Sequence, residues 1–372
     1  MVNKKIPWFY PVFDETEKAA VAEVVNSGYI NDGDVARQFE EAIASFIGCK
    51  HCIAVTNGTS AITLSLLALG IGPGDEVIVP DFTFIATANA VRLAGATVKL
   101  VDIEPSRLTI DPNRVKEAIG PKTKAIIPVD VNGRGADYSS LESICKEHGL
   151  FLICDSAEAL GSKYNGRYLG TFGDVGCFSF SANKTVSSGQ GGMIATNQTE
   201  LYHRIRELKD QGRRHGGTGG DDLHPVLGFN FKYTNLQAAV ALAQFKKINQ
   251  RLEHFQNRDA WYVDSLSECP GVTFPPLLND SGEVRQWTDL LSQERPRIES
   301  ALKENRIDFR PFWHPLHMQG PYKESDEDFQ HSISISKTGL WLPSSFEITK
   351  EEIIFISKII REEMSLNTLG VS

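Results

Sequence analysis

The sequence predicts an α/β fold, with a large first domain and a smaller α+β domain at the C-terminal end. Two observations predict the large domain. Short apolar runs alternate with helical patterns through the first two thirds of the chain, which is typical of a mostly parallel, mixed sheet flanked by helices. Small and polar residues directly follow several of these runs, as they do where a sheet binds a ligand at the carboxyl ends of its strands.

The last third has sparser signals, which predict the smaller domain. Short strands are expected near 272–274, 307–312 and 339–342, and helices over about 296–305 and 350–364. A long helix that begins at Thr234 is expected to reach about residue 252, and the boundary is placed within it. The expected domains are residues 1–245 and 246–372.

Composition and charge argue against two classes of protein. The net charge of −9 is unsuited to nucleic-acid phosphates, which require a basic face. No apolar run approaches the roughly 20 residues needed to span a bilayer, and the first residues lack the apolar stretch of a signal peptide. A cytoplasmic protein with reduced cysteines is therefore expected.

Cys49 and Cys52 have the C-x-x-C spacing of a redox or metal pair. No second cysteine or histidine pair at ligand spacing accompanies them. The preferred interpretation is structural, with Cys49 at the end of a helix and Cys52 at the start of a strand.

Helices and strands are predicted in order from the start of the chain. Asp14 and Glu17 have the spacing of a capping box and begin a helix, and Ser139 and Glu142 have the same spacing. The other expected helices lie over about 35–47, 61–69, 86–93, 139–148 and 200–210, and the strands over 52–55, 76–80, 98–101, 125–129, 150–154, 175–180 and 193–196.

The strand over 52–55, a small-polar turn and a helix form a candidate phosphate site. The turn contains Gly58, Thr59 and Ser60. A helix N-terminus there points free N–H groups and a positive dipole end at one place, which suits a phosphate. A plain N-cap turn is the alternative, and this stretch alone does not decide between them.

Asp155 directly follows a buried strand, and Glu158 lies three residues further on. An ionisable residue at a strand end is a candidate for a functional site. The alternative is a helix N-cap aspartate, with which the local sequence is equally consistent.

Lys184 lies where the strand over 175–180 gives way to small and hydroxyl residues, with no carboxylate partner four residues away. We interpret it as a lysine that forms a Schiff base with pyridoxal 5′-phosphate (PLP), because desolvation disfavours the charged amine and frees it to attack a carbonyl. An ordinary surface lysine is the alternative.

Together these residues match the needs of a PLP site. Thr59 and Ser60 would hold the phosphate, Asp155 would keep the pyridine nitrogen protonated, and Lys184 would join the cofactor. Phe84, at the end of another strand, would stack on the ring. A PLP site explains why all four features lie at strand ends of one sheet better than four unrelated coincidences do.

The sequence also resembles a known family along nearly its whole length. The resemblance rests on several segments that are specific only together: residues 56–61, 72–80, 155–161, 178–180 with Asn183 and Lys184, 228–230 with Thr234 and Asn235, and 310–312. They are similar to the DegT/DnrJ/EryC1/StrS family of PLP-dependent aminotransferases, which act on nucleotide-linked keto-deoxy sugars. The resemblance implies the fold of PLP-dependent transferases of type I.

The resemblance implies a role for each matching residue. Lys184 matches the lysine that holds the cofactor, Asp155 the partner of the pyridine nitrogen, and Glu158 the position beside the ring hydroxyl. Phe84 matches the aromatic residue that stacks on the ring. Gly58, Thr59, Ser60 and Ser179 match residues on the phosphate side, and Asn230 matches an asparagine donated by a second subunit.

The resemblance also implies the reactants. L-Glutamate is the expected donor, and a nucleotide-linked 4-keto-6-deoxy sugar is the expected acceptor, as in the subgroup that shares the pattern His314-Pro315-Leu316-His317. A homodimer with shared active sites is implied, and C2 dimers are the commonest assembly. Arg310, His314 and His317 are candidates for substrate contacts; surface-loop positions are the alternative. No metal, nucleic-acid or membrane partner is expected.

Several departures from the family pattern leave the exact substrate open. The family usually has glutamate where Gln190 stands, and many members of the subgroup have a histidine where Asp130 stands and serines at Asn31 and Asp32. A sugar dehydratase of the same family carries histidine in place of Lys184, so the lysine argues against it. A non-catalytic PLP-binding regulator and a desulfurase are further alternatives, but no DNA-binding segment or exposed cysteine loop is evident.

Overall fold

The described chain forms short strands, and those of the main sheet are apolar and mostly buried. The computed structural model describes residues 5–214, 222–278 and 281–365. The strands are β1 (His51–Val55), β2 (Glu76–Pro80), β3 (Thr97–Val101), β4 (Ile103–Glu104), β5 (Thr109–Ile110), β6 (Thr123–Ile126), β7 (Phe151–Asp155), β8 (Lys163–Tyr164), β9 (Arg167–Tyr168), β10 (Val175–Ser179), β11 (Gly192–Thr196), β12 (Asp289–Leu291), β13 (Arg310–Pro311) and β14 (Gly339–Trp341).

The main sheet has seven strands in the order β1-β11-β10-β7-β6-β2-β3. Strand β11 pairs antiparallel with β1 and β10, whereas the other neighbours pair parallel. The predicted mostly parallel, mixed sheet is therefore confirmed. Because β1, β2, β7 and β10 run in one direction, their carboxyl ends meet at the same edge of the sheet.

Helices cover both faces of this sheet, and successive strand residues pack toward opposite faces. Ile153 belongs to one buried cluster with Leu64, and Leu152 belongs to another with Leu141. The helices are α1 (Glu15–Ser27), α2 (Asp34–Ile47), α3 (Gly58–Ala68), α4 (Ala86–Leu93), α5 (Pro112–Ala118), α6 (Tyr138–His148), α7 (Thr199–Lys209), α8 (Asn235–Phe245), α9 (Ile248–Leu266), α10 (Arg295–Glu304), α11 (Gln330–Thr338) and α12 (Lys350–Ser365).

Two of the three helix starts predicted from capping residues carry the expected cap. The capping box of Asp14 and Glu17 at α1 is confirmed, and Thr234 caps α8. The predicted cap Ser139 is wrong. Asp137 begins α6 instead, because its carboxylate accepts hydrogen bonds from the backbone N–H (3.2 Å) and the hydroxyl (2.7 Å) of Ser140.

The predicted single helix over 234–252 is also wrong, since the chain turns between α8 and α9. Lys247 lies in this turn and reaches α1, where its amine is 2.8 Å from the carboxylates of both Asp14 and Glu17. The apolar pattern continues on both sides of the turn, so periodicity could not reveal it. The predicted domain boundary at residues 245 and 246 lies at this turn and stays a prediction.

A small antiparallel sheet, β12-β14-β13, lies in the last third of the chain. Leu290 and Leu340 from this sheet pack with Tyr262 of α9, Leu302 of α10 and Ile356 of α12 in one buried cluster. The strand expected near 272–274 is a single bridge between Thr273 and Leu291. The smaller α+β unit thus has its own apolar core.

The two cysteines of the C-x-x-C spacing lie at a helix end and in a strand, as the structural interpretation predicts. All six cysteines are free and buried, with Cys49 after α2 and Cys52 in β1. Over the described ranges, no group of histidine, cysteine or carboxylate side chains could hold a metal ion. Within the same ranges, none of the helices combines the length and apolarity that a bilayer crossing needs.

Candidate active site

The carboxyl edge of the main sheet contains a cavity of about 270 Å³. It lies where β1, β2, β7 and β10 end, as expected for an open α/β sheet. The structure brings eight of the predicted residues together in its lining: Gly58, Thr59, Phe84, Asp155, Glu158, Ser179, Lys184 and Arg310.

One end of the cavity is the N-terminus of α3. Asn57 caps this helix by accepting a hydrogen bond from the N–H of Ser60 at 2.8 Å. The preceding N–H groups, of Gly58 and Thr59, belong to the first turn, which has no intrahelical acceptors for them. A Cβ on Gly58 would lie 3.1 Å from that of Ser179, so glycine lets the helix end approach the end of β10. This end of the cavity suits an anion.

Ser60 is placed differently from its neighbour Thr59. Ser60 is buried and its hydroxyl accepts a hydrogen bond from that of Thr56 at 3.1 Å, while Thr59 lines the cavity. Successive residues of a helix point about 100° apart, so only one of the pair lines the cavity. The predicted phosphate contact of the Ser60 side chain stays a prediction.

Asp155 ends β7 and is buried at the side of the cavity. Its carboxylate accepts hydrogen bonds from the hydroxyl of Thr87 at 2.7 Å and from the N–H of Ala157 at 3.2 Å. Burial raises the pKa of Asp155 above its usual value, and the hydrogen bond from Thr87 opposes that rise. A positive charge placed beside this carboxylate would also oppose the rise in its pKa and would be stabilised in return.

Lys184 is only 9% exposed, so the alternative of a surface lysine is wrong. Its amine lies 3.1 Å from a carboxylate oxygen of Glu158 and 5.1 Å from the ring centre of Trp287. The carboxylate and the indole face therefore flank the same nitrogen atom, which gives the amine a defined place in the cavity.

Arg310 supplies a second cation to the cavity. Its guanidinium lies over the rings of Trp8, at 5.3 Å, and Trp341, at 5.5 Å. Among the described residues, none forms a hydrogen bond or ion pair with this guanidinium, although the backbone of Arg310 pairs with that of Trp341 in the small sheet. Burial lowers the pKa of Arg310, although the charge of Glu158 partly compensates. A partly buried guanidinium without a counter-ion is suited to binding an anionic reactant.

Other lining residues were not found from the sequence. Thr87 is one of these residues. Its position, about one helical turn after Phe84, was a signal that could have identified it. Trp287 and Trp313 come from distant segments, and each has a buried indole N–H without a hydrogen-bond partner in the described part of the chain. The rings of both residues form part of the cavity wall.

Besides Ser60, three predicted residues lie outside the lining. Asn230 is exposed and bridges to Asp210, and His314 is exposed. His317 is fully buried, with Nδ1 2.7 Å from the carboxylate of Asp81 and its ring stacked on Phe329. Their roles in binding stay predictions.

Asp130 lies behind the cavity, next to Asp155 along the sheet edge. It is fully buried and accepts hydrogen bonds from the hydroxyls of Ser156 (2.5 Å) and Tyr138 (2.8 Å). Burial raises the pKa of Asp130 to about 7. This departure from the family pattern is therefore an internal position of the fold.

Sequence comparison decides which family uses this geometry. A family profile described as "DegT/DnrJ/EryC1/StrS aminotransferase family" matches residues 11–361. The chain belongs to this family.

Individual relatives of this aminotransferase cover nearly the whole chain. It is 36% identical to GDP-perosamine synthase of Caulobacter vibrioides, over 92% of this chain and 94% of that protein. It is 35% identical to the pleiotropic regulatory protein of Geobacillus stearothermophilus, over 91% and 92%. The crystal structure of S. venezuelae DesV in complex with a ketimine intermediate superposes with a TM-score of 0.92 at 29% identity, over 97% and 99%.

The predictions of a PLP-dependent sugar aminotransferase and of its fold are thereby confirmed. The residues of this aminotransferase fit PLP. The cavity combines an anion site at α3, a buried carboxylate at Asp155 and a nearly buried amine at Lys184. These are the groups that the phosphate, the ring nitrogen and the aldehyde of PLP require.

Proposed function

We propose that this aminotransferase moves an amino group from L-glutamate to a nucleotide-linked 4-keto-6-deoxy sugar, for amino-sugar biosynthesis. The similarity to a GDP-perosamine synthase along almost all of both chains carries the proposal for the acceptor. The unpaired guanidinium of Arg310 in the cavity supports an anionic donor such as an amino acid.

Each residue of the cavity has a separate task in this proposal. When bound, PLP supplies an electron sink for the charge that develops when a proton leaves the donor's Cα. Lys184 takes that proton on its amine and returns it, as a general base and then a general acid. Glu158 and the ring of Trp287 hold the amine in place. Asp155 remains fixed by Thr87 and stabilises positive charge at the ring nitrogen.

Substrate recognition uses lining residues from the last third of the chain. Arg310 binds a carboxylate of the donor, since its guanidinium is partly desolvated and forms no ion pair with a described acid. The rings of Trp287 and Trp313 supply flat apolar surface in the cavity wall against which the sugar packs. Lys184 is only 9% exposed, so the walls would limit the access of water to the amine that carries the proton.

The test follows the two half-reactions separately. The PLP-loaded protein is expected to lose its visible absorption on addition of L-glutamate and to release one equivalent of 2-oxoglutarate. A nucleotide-linked 4-keto-6-deoxy sugar should then restore the absorption. A panel that varies the nucleotide and the sugar, ranked by the rate of recovery, identifies the acceptor. Absorption that glutamate fails to change would contradict the proposal and favour a regulator or a dehydratase.

We also propose a homodimer in which the partner's Asn230 completes each site. Asn230 is exposed rather than directed into its own cavity, and the same segment exposes Val226 and Leu227, the latter 86% accessible. Phe84 is 50% exposed while it lines the cavity. Apolar side chains exposed in this way mark a surface for a partner.

The six free cysteines support a reducing, cytoplasmic location.

Mixing two inactive variants tests the shared site. Lys184→Ala and Asn230→Ala each impair every site of their own homodimer. In a co-expressed mixture, a shared site leaves one intact site in each heterodimer, so about a quarter of the normal activity is expected at equal amounts. Activity no greater than that of the separate variants would contradict a shared site. Light scattering would report the oligomeric state independently.

A further inference from the structure

Asn132 lies in a left-handed turn behind the cavity, and the proposal above assigns it no role. Its backbone angles are φ 53° and ψ 39°, and its side chain is fully buried. The next residue, Gly133, also has a positive φ of 84°, and a Cβ there would lie 2.0 Å from the carbonyl oxygen of Val284. The turn is therefore pressed against the segment that leads into β12.

The side-chain amide of Asn132 binds this segment at three points. Its Nδ2 donates to the carbonyl oxygen of Trp287 at 2.6 Å and to the carboxylate of Asp289 at 2.8 Å. Its Oδ1 accepts a hydrogen bond from the N–H of Trp287 at 2.7 Å. Both backbone groups of Trp287 are thus held by one side chain, which fixes where the indole ring stands.

The backbone of Asn132 binds a different element of the site. Its N–H donates to one carboxylate oxygen of Glu158 at 3.1 Å, and the other oxygen of Glu158 lies 3.1 Å from the amine of Lys184. The indole of Trp287 faces the same amine. Asn132 therefore contacts both groups that flank Lys184 without touching the amine itself.

The far side of this arrangement is anchored by buried charges. Asp289 forms ion pairs with Arg134 and with Arg285, the latter at 3.0 Å, and accepts a hydrogen bond from the indole N–H of Trp341 at 2.9 Å. All four side chains are buried. Because such a network has few alternative arrangements, Asn132 has little freedom to move.

We propose that Asn132 is a positioning residue, which fixes the Lys184 amine by holding Glu158 and Trp287 at the same time. The inference rests on the proposed function, in which Lys184 carries a proton at one atom. A flexible lysine side chain delivers a proton efficiently only while its amine is held near the reacting atom. Asn132 supplies that restraint from two directions, through Glu158, which follows β7, and through Trp287, which precedes β12.

The test replaces Asn132 with glycine, which tolerates the left-handed conformation and retains the N–H but removes the three side-chain bonds. The matched control is Asn165→Gly. Asn165 also has a positive φ, 49°, but it lies in the β8–β9 hairpin. Comparing the two variants separates the loss of the side chain from any effect of glycine on a left-handed turn.

Three readouts are expected to move in Asn132→Gly and not in Asn165→Gly. The kcat of the glutamate half-reaction should fall about tenfold while KM changes less than about twofold, the pattern of a lost orientation effect. The circular dichroism of the bound cofactor in the visible range should fall several-fold. The rate at which cofactor-free protein joins added PLP to Lys184 should also fall several-fold.

A second variant guards against loss of folding. Asn132→Asp retains the acceptor for the N–H of Trp287 but places a carboxylate oxygen against the carbonyl of Trp287 and the carboxylate of Asp289, so the same readouts should move. Thermal unfolding identifies a variant that fails to fold. Asn132 variants that match Asn165→Gly in all three readouts would overturn the inference. Failure of the wild-type protein to react with glutamate would overturn the proposed function instead, while the PLP-joining rate would still test Asn132.

Discussion

Lys184→Ala is expected to abolish amino-group transfer and the visible absorption of the PLP-loaded protein together. The amine of Lys184 lies 3.1 Å from a carboxylate oxygen of Glu158, and Lys184 is the one lysine among the described lining residues. Loss of a group that acts both as a covalent anchor and as a proton carrier should lower kcat by at least about 10³-fold. Absorption spectra and single-turnover measurements with L-glutamate would measure both effects.

Lys184→Arg is the matched control for charge. Arginine keeps a positive charge beside Glu158, but its guanidinium stays protonated and serves poorly as a base. It should therefore retain the thermal stability of the wild-type protein better than alanine does, since Glu158 keeps a counter-ion, and yet remain inactive. Substantial activity in the arginine variant would show that another group carries the proton.

Asp155→Asn is expected to lower kcat by about 10²–10³-fold, the usual effect of removing one preorganised electrostatic group. The change preserves the size of the side chain and its acceptor for the hydroxyl of Thr87, but it removes the charge that stabilises a protonated ring nitrogen. Steady-state kinetics of the glutamate half-reaction would measure the loss, and titration of cofactor-free protein would show weaker PLP binding.

Two further variants define the effect of Asp155. Asp174→Asn changes another aspartate of the same sheet region, which binds the N–H of Leu152 instead of facing the cavity, and should leave the half-reaction unchanged. Thr87→Val removes the hydroxyl donor and should produce a smaller loss in the same direction. If Asp155→Asn and Asp174→Asn behave alike, the electrostatic role assigned to Asp155 is wrong.

The strand ends were readable from the sequence because each carries a local signal. Thr59 follows an apolar strand and begins a helix, Asp155 terminates a buried run, and Lys184 follows another. These signals depend on neighbours in the chain, and the structure brings all three residues to one cavity.

Contacts between distant segments were not readable in the same way. Asn132 meets Trp287 across the main and small units, and no local pattern distinguishes it from other buried amides. The same limit applies to His317. Its partner Asp81 lies 236 positions away, so the sequence could not show whether its ring would face a substrate or an internal carboxylate.

The span of the cavity lining has a consequence for biosynthesis. The lining begins at Asn57 and ends at Trp313, and a ribosome adds roughly 5–20 residues per second, so roughly 10–50 s separate the emergence of its first and last residues. Lys184 emerges about halfway through that interval, and the nascent chain then presents it without Trp287, Arg310 and Trp313 until these residues follow. Tight cofactor capture must therefore follow synthesis of the small unit, and PLP selectively stabilises chains that have finished folding.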